Sequence, residues 1–149
     1  MAWIYPISAS NIQEWYDEPP GFGHAAALAP GDTEFIYTPA GIYENNILLE
    51  MEQNCGLCEI RARRGTGRFN IAQLKVVFYD STFTQSEQWI INLAFYPNWT
   101  DFSYTPAFPW RYVSLEGQTT DAPVAASTLR GETVGGILIP RRLLTGVGL

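Results

Sequence analysis

Alternation with a period of two is the feature that most narrows what this chain can become. In "NNILLEMEQ", residues 45–53, Ile47, Leu49 and Met51 fall on one side and Leu48, Glu50 and Glu52 on the other. A pleated strand sends successive side chains to opposite faces, so such a run buries one face and wets the other. "LCEIRARR" repeats the pattern, with Cys58, Ile60 and Ala62 inward and Glu59, Arg61 and Arg63 outward. "DTEFIYTPAG" reads as a strand halted by Pro39 and Gly41, and "PWRYVSLEG" as the last of the series. "QLKVVFYD" and "QWIINLAFY" are more continuously apolar, the second with Trp89, Ile91, Leu93 and Phe95 on one side. That composition predicts central strands. Helix signals are sparse. Only "SNIQEWYDE" offers a start, with Ser10 or Asn11 as the cap, Glu14 near the third position, and Pro19, Pro20 and Gly21 as the stop.

Roughly six to eight short strands without βαβ alternation predict an all-β fold, an antiparallel β-sandwich of jelly-roll type with extended N- and C-terminal arms. The body spans residues 33–117. Residues 1–32 set Trp3, Tyr5, Trp15, Tyr16 and Phe22 among Pro and Gly, which suits an arm laid over a surface, with at most one short helix. Residues 118–149 contain no aromatic residue, yet "GGILIP" and "RRLLTGVGL" hold apolar side chains that are costly to leave in water. This extension, tipped by Arg141 and Arg142, is expected to dock on its own sheet or on a neighbouring chain. At 149 residues one core suffices without disulfides.

Charge is unevenly placed. Residues 1–60 contain acids and no Lys or Arg, while every basic residue lies in 61–149, and the net charge is −6. Unlike charges on the two halves favour contact within the fold or between copies, and an acidic chain repels phosphate backbones, so no nucleic-acid partner is expected. The longest apolar runs fall far short of a membrane span, and the N-terminus lacks the basic and apolar regions of a secretory signal. A membrane partner is not expected, and the chain is expected to be made in the cytoplasm.

The one stretch that looks like chemistry is "QNCGLCEIRARRGTG", residues 53–67. Asn54 and Gly56 are residues of tight turns, so the predicted structure is a hairpin with Cys55 and Cys58 flanking its turn and Arg61 and Arg63 paired with Glu50 and Glu52 across it. A redox Cys-x-x-Cys needs a helix after it, and a structural zinc site needs four ligands, whereas the chain has one His, His24, expected in a loop. "RRGTGR" lacks the spacing of a phosphate loop, and no hydrolase elbow or HExxH motif occurs. No cofactor, metal or catalytic group is predicted.

The richest candidate surface is "FYPNWTDFSYTPAFPWRY", residues 95–112. Trp99, Phe102, Tyr104, Phe108 and Trp110, stiffened by prolines, can present flat faces to a protein partner or to sugar rings, or can cap the core. Within it, "PWRYVSLEG", residues 109–117, resembles the closing strand of galactose-binding-like, discoidin-type jelly rolls. The resemblance implies binding of sugars or lipid head groups through loops at one end. No ligand residues of that family are matched, and residues 118–149 extend past its usual end.

Two functions follow as expectations. The first is a non-enzymatic structural assembly protein of virion type, a capsid decoration, cement or tail component, gripping its own copies or other subunits through Trp3, Tyr5, Trp15, Tyr16, Trp99, Phe102, Tyr104, Trp110, Arg141 and Arg142. The second is a carbohydrate-binding module using Trp99, Tyr104 and Trp110.

Overall fold

The computed structural model describes residues 2–13, 15–31, 33–39, 45–66, 72–119 and 122–134. Among these lie ten strands and one helix: β1 (Trp3–Ile4), β2 (Ser8–Gln13), β3 (Tyr16–Glu18), α1 (His24–Ala27), β4 (Phe35–Thr38), β5 (Asn45–Arg64), β6 (Ala72–Tyr79), β7 (Ser86–Asn92), β8 (Thr100–Tyr104), β9 (Trp110–Thr119) and β10 (Val124–Thr133). Every pairing between them is antiparallel. The fold is the expected all-β sandwich.

Its organising element is β5, a single strand of 20 residues where a hairpin was expected. Residues 45–50 pair with β2 on one side and β9 on the other, whereas residues 58–62 pair with β10 and β8. One layer is therefore β2-β5-β9-β6-β7 and the other β3-β4-β10-β5-β8, with β5 common to both. The crossing point shows in the burial rhythm. Ile47, Leu49 and Met51 are buried on odd positions, Cys58, Ile60 and Ala62 on even ones, with exposed residues at 52–54 between. A ladder irregularity between Glu50 and Cys55 absorbs the change of phase. Asn54 and Gly56 are strand residues here, so Arg61 and Arg63 do not meet Glu50 and Glu52.

The core forms between the layers. Phe78 of β6 stacks on Tyr104 of β8 (centroids 5.8 Å apart, 10° between planes) and packs on Trp110 (5.2 Å), although β6 and β8 share no ladder. Ala72, Leu74, Val76 and Phe78 alternate inward along β6, and Val113 and Leu115 meet them from β9. Strand β7 is an edge, not the central strand expected, with Ile90 turned to solvent and Phe95 lying beyond the strand's end. Glu87 ties that edge to the other layer, its carboxylate accepting hydrogen bonds from the Tyr104 hydroxyl and from the Ala107 amide at 2.9 Å.

The N-terminal segment is built into the sheet and is not an overlying arm. Strand β1 pairs with β10, β2 with β5, and β3 with β4. The helix falls at residues 24–27, after the stretch that offered a cap, because residues 8–13 find a ladder on β5 that satisfies their backbone. His24 opens that helix instead of lying in a loop. Its Nε2 stands 3.0 Å from the Trp15 carbonyl oxygen and its Nδ1 3.2 Å from the Asp17 carboxylate. Of the C-terminal extension, residues 124–133 form β10 in the chain's own sheet, between β4 and β5. Residues 135–149, including Arg141 and Arg142, lie outside the described residues.

Candidate functional site

Cys55 and Cys58 are free and fully buried within β5. Burial pushes the Cys55 thiol up to about 12, with Arg111 only partly offsetting it, and drives Cys58 higher still. Thiols held protonated and out of solvent are neither nucleophiles nor metal ligands at neutral pH. The chain's only recognisable chemical motif is a pair of core residues.

Several of the expected contact residues are also core. Trp110 is fully buried, its indole N–H donating to the Gly56 carbonyl at 2.7 Å, because its position on β9 faces the point where β5 changes layer. Trp15 is 3% exposed and packs in the core. Contrary to expectation, neither ring offers a face to a partner. Tyr104 and Phe102 are half-buried against the core, Tyr104 in a stack with Trp89 at 5.2 Å and Phe102 under the edge of Tyr96 at 5.1 Å.

The remaining aromatic candidates, Trp3, Tyr5, Tyr16 and Trp99, come together on the outer face of the β3-β4-β10-β5-β8 layer. Strand alternation places Tyr16 and Glu18 of β3, Phe35 and Tyr37 of β4, Ala125 of β10 and Arg63 of β5 side by side on it. Phe35 packs on Tyr37 at 6.2 Å, and Tyr37 on Tyr16 at 5.6 Å. Trp99 reaches this row from the loop before β8, edge-on to Phe35 at 5.6 Å. That loop is held to β5 through Arg64, whose amide donates to the Tyr96 carbonyl (3.0 Å) and whose Nε donates to Ala94 (2.9 Å). The Arg63 guanidinium lies 4.7 Å from the Trp99 centroid and 5.7 Å from that of Phe35. One edge of this cation is engaged, Nη1 donating to the Arg64 carbonyl at 3.3 Å, and the two aromatic rings hold the guanidinium beside the hollow. Glu18, Phe35, Tyr37, Arg63, Thr66 and Pro123 border a hollow of about 300 Å³.

Two residues along β5 lies a second, polar hollow of about 240 Å³, bordered by Tyr5, Glu59, Arg61, Asp101, Thr128 and Arg130. Each cation in it has an acid. Arg61 Nε donates to Asp101 at 3.0 Å, and Arg130 holds Glu59 Oε1 through Nε at 2.8 Å and Nη2 at 2.6 Å. The Glu59–Arg130 pair joins the acidic N-terminal half of the chain to its basic remainder. Trp3 lies beneath Arg130, whose Cζ is 3.9 Å from the indole centroid, and Tyr5 borders the same hollow. Trp3, Tyr5, Tyr16 and Trp99 thus share one face. Sequence reasoning missed Phe35, Tyr37, Glu59, Asp101 and Arg130 as site residues. The outward parity of Phe35 and Tyr37 was the available signal.

No family model matches this chain, and no curated protein matches it. Among solved structures it is similar to CpGH89CBM32-4, produced by Clostridium perfringens and solved in complex with GlcNAc-α-1,4-galactose, at 14% identity and a TM-score of 0.54, over 85% of this chain and 88% of that one. A fucose-binding module of Streptococcus pneumoniae matches at 13% identity and a TM-score of 0.46, over 66% of this chain and 69% of that one. A family 29 carbohydrate-binding module matches at 11% identity and a TM-score of 0.45, over 66% of this chain, which spans 64% of that module's length. The Clostridium likeness bears out, as a shared fold, the resemblance to galactose-binding-like jelly rolls that residues 109–117 suggested.

Proposed function

We propose that this protein is a non-catalytic carbohydrate-binding module that holds a neutral glycan on the outer face of its β3-β4-β10-β5-β8 layer. The observation that carries the reading is the adjacency of an aromatic hollow and a charge-balanced polar hollow on one rigid sheet face. A sugar ring is amphipathic, with a C–H face that stacks on aromatic rings and a rim of hydroxyls that seeks fixed donors and acceptors. Phe35, Tyr37 and Trp99 supply the first; Arg63, Glu18 and the Arg61–Asp101 and Glu59–Arg130 pairs supply the second. Because those two pairs neutralise themselves, an anionic ligand gains little over a neutral one. The fold likeness to a module solved with a disaccharide is consistent with this class of ligand.

The test is a glycan array probed with the wild-type chain and with Trp99→Ala and Arg63→Ala. Neutral glycans should bind the wild type and lose signal with both variants. Binding that is confined to sulfated or uronic glycans, or indifferent to both substitutions, refutes the assignment. The alternative of a virion assembly protein draws no support from the comparisons, and the N-terminal arm it relied on is part of the sheet.

A further inference from the structure

We infer that the β6–β7 turn carries a second sugar-contact site, a single aromatic platform on the opposite layer, which makes the protein bivalent toward a polysaccharide. Phe83, at the tip of this turn, is the one non-glycine residue with positive φ among those described, at 58°. L side chains avoid that region, and a bulky residue there persists only where its surroundings impose it. Asp80 imposes it. Its carboxylate accepts from the Thr84 hydroxyl (2.7 Å), the Thr84 amide (2.9 Å), the Thr82 amide (3.2 Å) and the Thr82 hydroxyl (3.3 Å), and its carbonyl accepts from the Phe83 amide at 3.2 Å.

The turn holds an aromatic ring out in water. Phe83 is 50% exposed, with one ring face laid on Tyr112 (4.4 Å, 27°) and its edge near Tyr79 (5.4 Å). Tyr79 and Tyr112 are ladder partners on β6 and β9, on the outward side of the strands whose inward neighbours Phe78 and Val113 are core. The two tyrosines therefore brace the ring from below, and its other face is open.

The surroundings identify the ligand class. Ser81, Thr82, Thr84, Gln85 and Ser86 are exposed around the ring, and the one carboxylate inside the turn, Asp80, is engaged by Thr82 and Thr84. A rigid ring fringed by hydroxyls and an amide complements one pyranose, a flat C–H face with an uncharged polar rim. A single ring with its polar fringe matches the scale of one sugar residue, whereas a stable protein interface draws on about 800 Å² on each side. It shares its ligand class with the proposed function but none of its residues. Because the two platforms face outward from opposite layers, a short oligosaccharide cannot span both, and occupancy of the two by different polymers bridges chains. Linked binding of that kind raises retention without any new contact.

The test uses affinity gels containing galactomannan, xyloglucan or mixed-linkage glucan, with viscosity of the same polysaccharides in solution as a second readout. The wild type should be retarded by at least one polymer and should raise its viscosity. Phe83→Ala should weaken retardation at least about tenfold and abolish the viscosity increase, while still binding the short oligosaccharides that depend on Trp99. Phe83→Gly, which relieves the positive φ, should match it, and melting temperatures no lower than the wild type's exclude misfolding. Wild-type behaviour in Phe83→Ala, or no retardation of the wild type in any gel, overturns the inference. Loss with Phe83→Ala but none with Trp99→Ala would keep a sugar contact at Phe83, dismiss the sheet-face site and overturn the bivalency.

Discussion

Substituting Gly131 with Ala tests the most unusual feature of the fold, the passage of β5 through both layers. Gly131 lies on β10 opposite Cys58. A methyl group there would sit 2.6 Å from Cys55 Sγ, 2.8 Å from Trp110 Cζ2 and 2.9 Å from Cys55 Cβ. All three belong to fully buried side chains. Contacts this short cannot be tolerated, and forcing extra volume into a filled core costs about 1–3 kcal/mol. Trp110 cannot swing aside freely either, because its N–H donates to Gly56, and stranding that donor adds about 1–3 kcal/mol. A loss of about 3 kcal/mol is therefore expected, equal to a fall in Tm of roughly 6–12 °C for a chain of this size. Urea and thermal denaturation of the wild type, Gly131→Ala, Cys55→Ala and the double variant measure it. The double variant removes the Sγ clash but keeps those with the ring and with the Cβ of residue 55, so the two substitutions should couple favourably by about 1 kcal/mol. If Gly131→Ala lies within about 0.5 kcal/mol of the wild type, or the effects simply add, the packing of β10 on Cys55 and Trp110 is wrong.

Trp110→Ala should destabilise the fold by about 3–5 kcal/mol in the same denaturation assay, whereas Trp99→Ala should cost little stability and at least about tenfold in glycan affinity by calorimetry. Cys55 and Cys58 should resist a thiol reagent at pH 8 in the native state and react fully in denaturant, since burial keeps both protonated well above that pH. Rapid native labelling would place them at the surface. The Thr84 hydroxyl, followed by amide donors, holds the Asp80 carboxyl below its ordinary value. A depressed folded value means that Asp80 supports the turn above the ordinary carboxylate range and releases it as pH falls through the lowered one. The Thr82 and Thr84 amide resonances should follow that titration, and Asp80→Asn should remove it.

The strand character of the chain was legible because both halves of β5 alternate against a buried face, and because β4 and β6 are short runs rich in β-branched and aromatic residues. What failed was the join between the halves of β5. Apolar residues on odd positions before residue 52 and on even positions after 57 require a change of phase, and a turn or a bulge supplies it equally well. Asn54 and Gly56 argued for the turn. The bulge prevails because β9 and β10 continue past the join, with Trp110 and Thr133 both opposite Cys55, and a reversal there would leave those backbones unpaired. Strand β7 was misread for a related reason: Trp89 and Ile91 face the core, but Ile90 adds apolar content from the solvent side.

The site was legible only in pieces. Trp99, Trp3, Tyr5 and Tyr16 were chosen as large rings in segments rich in Pro and Gly, and they do share a face. Trp110 and Trp15 were chosen on the same grounds and are core, since residue type says nothing about which side of a strand a ring occupies. The approach of Phe35 to Trp99, far apart in sequence, depends on Arg64 pinning the loop before β8, a tertiary contact without a local signature.

The central claim is that the β3-β4-β10-β5-β8 face receives a neutral glycan, and the five indole N–H resonances of the isotope-labelled chain report on it directly. Titrating in an oligosaccharide bound on the array should move the Trp99 resonance most and Trp3 next, and leave the buried Trp110 and Trp15 resonances in place. A glycan that binds while Trp99 and Trp3 stay still would contradict the account.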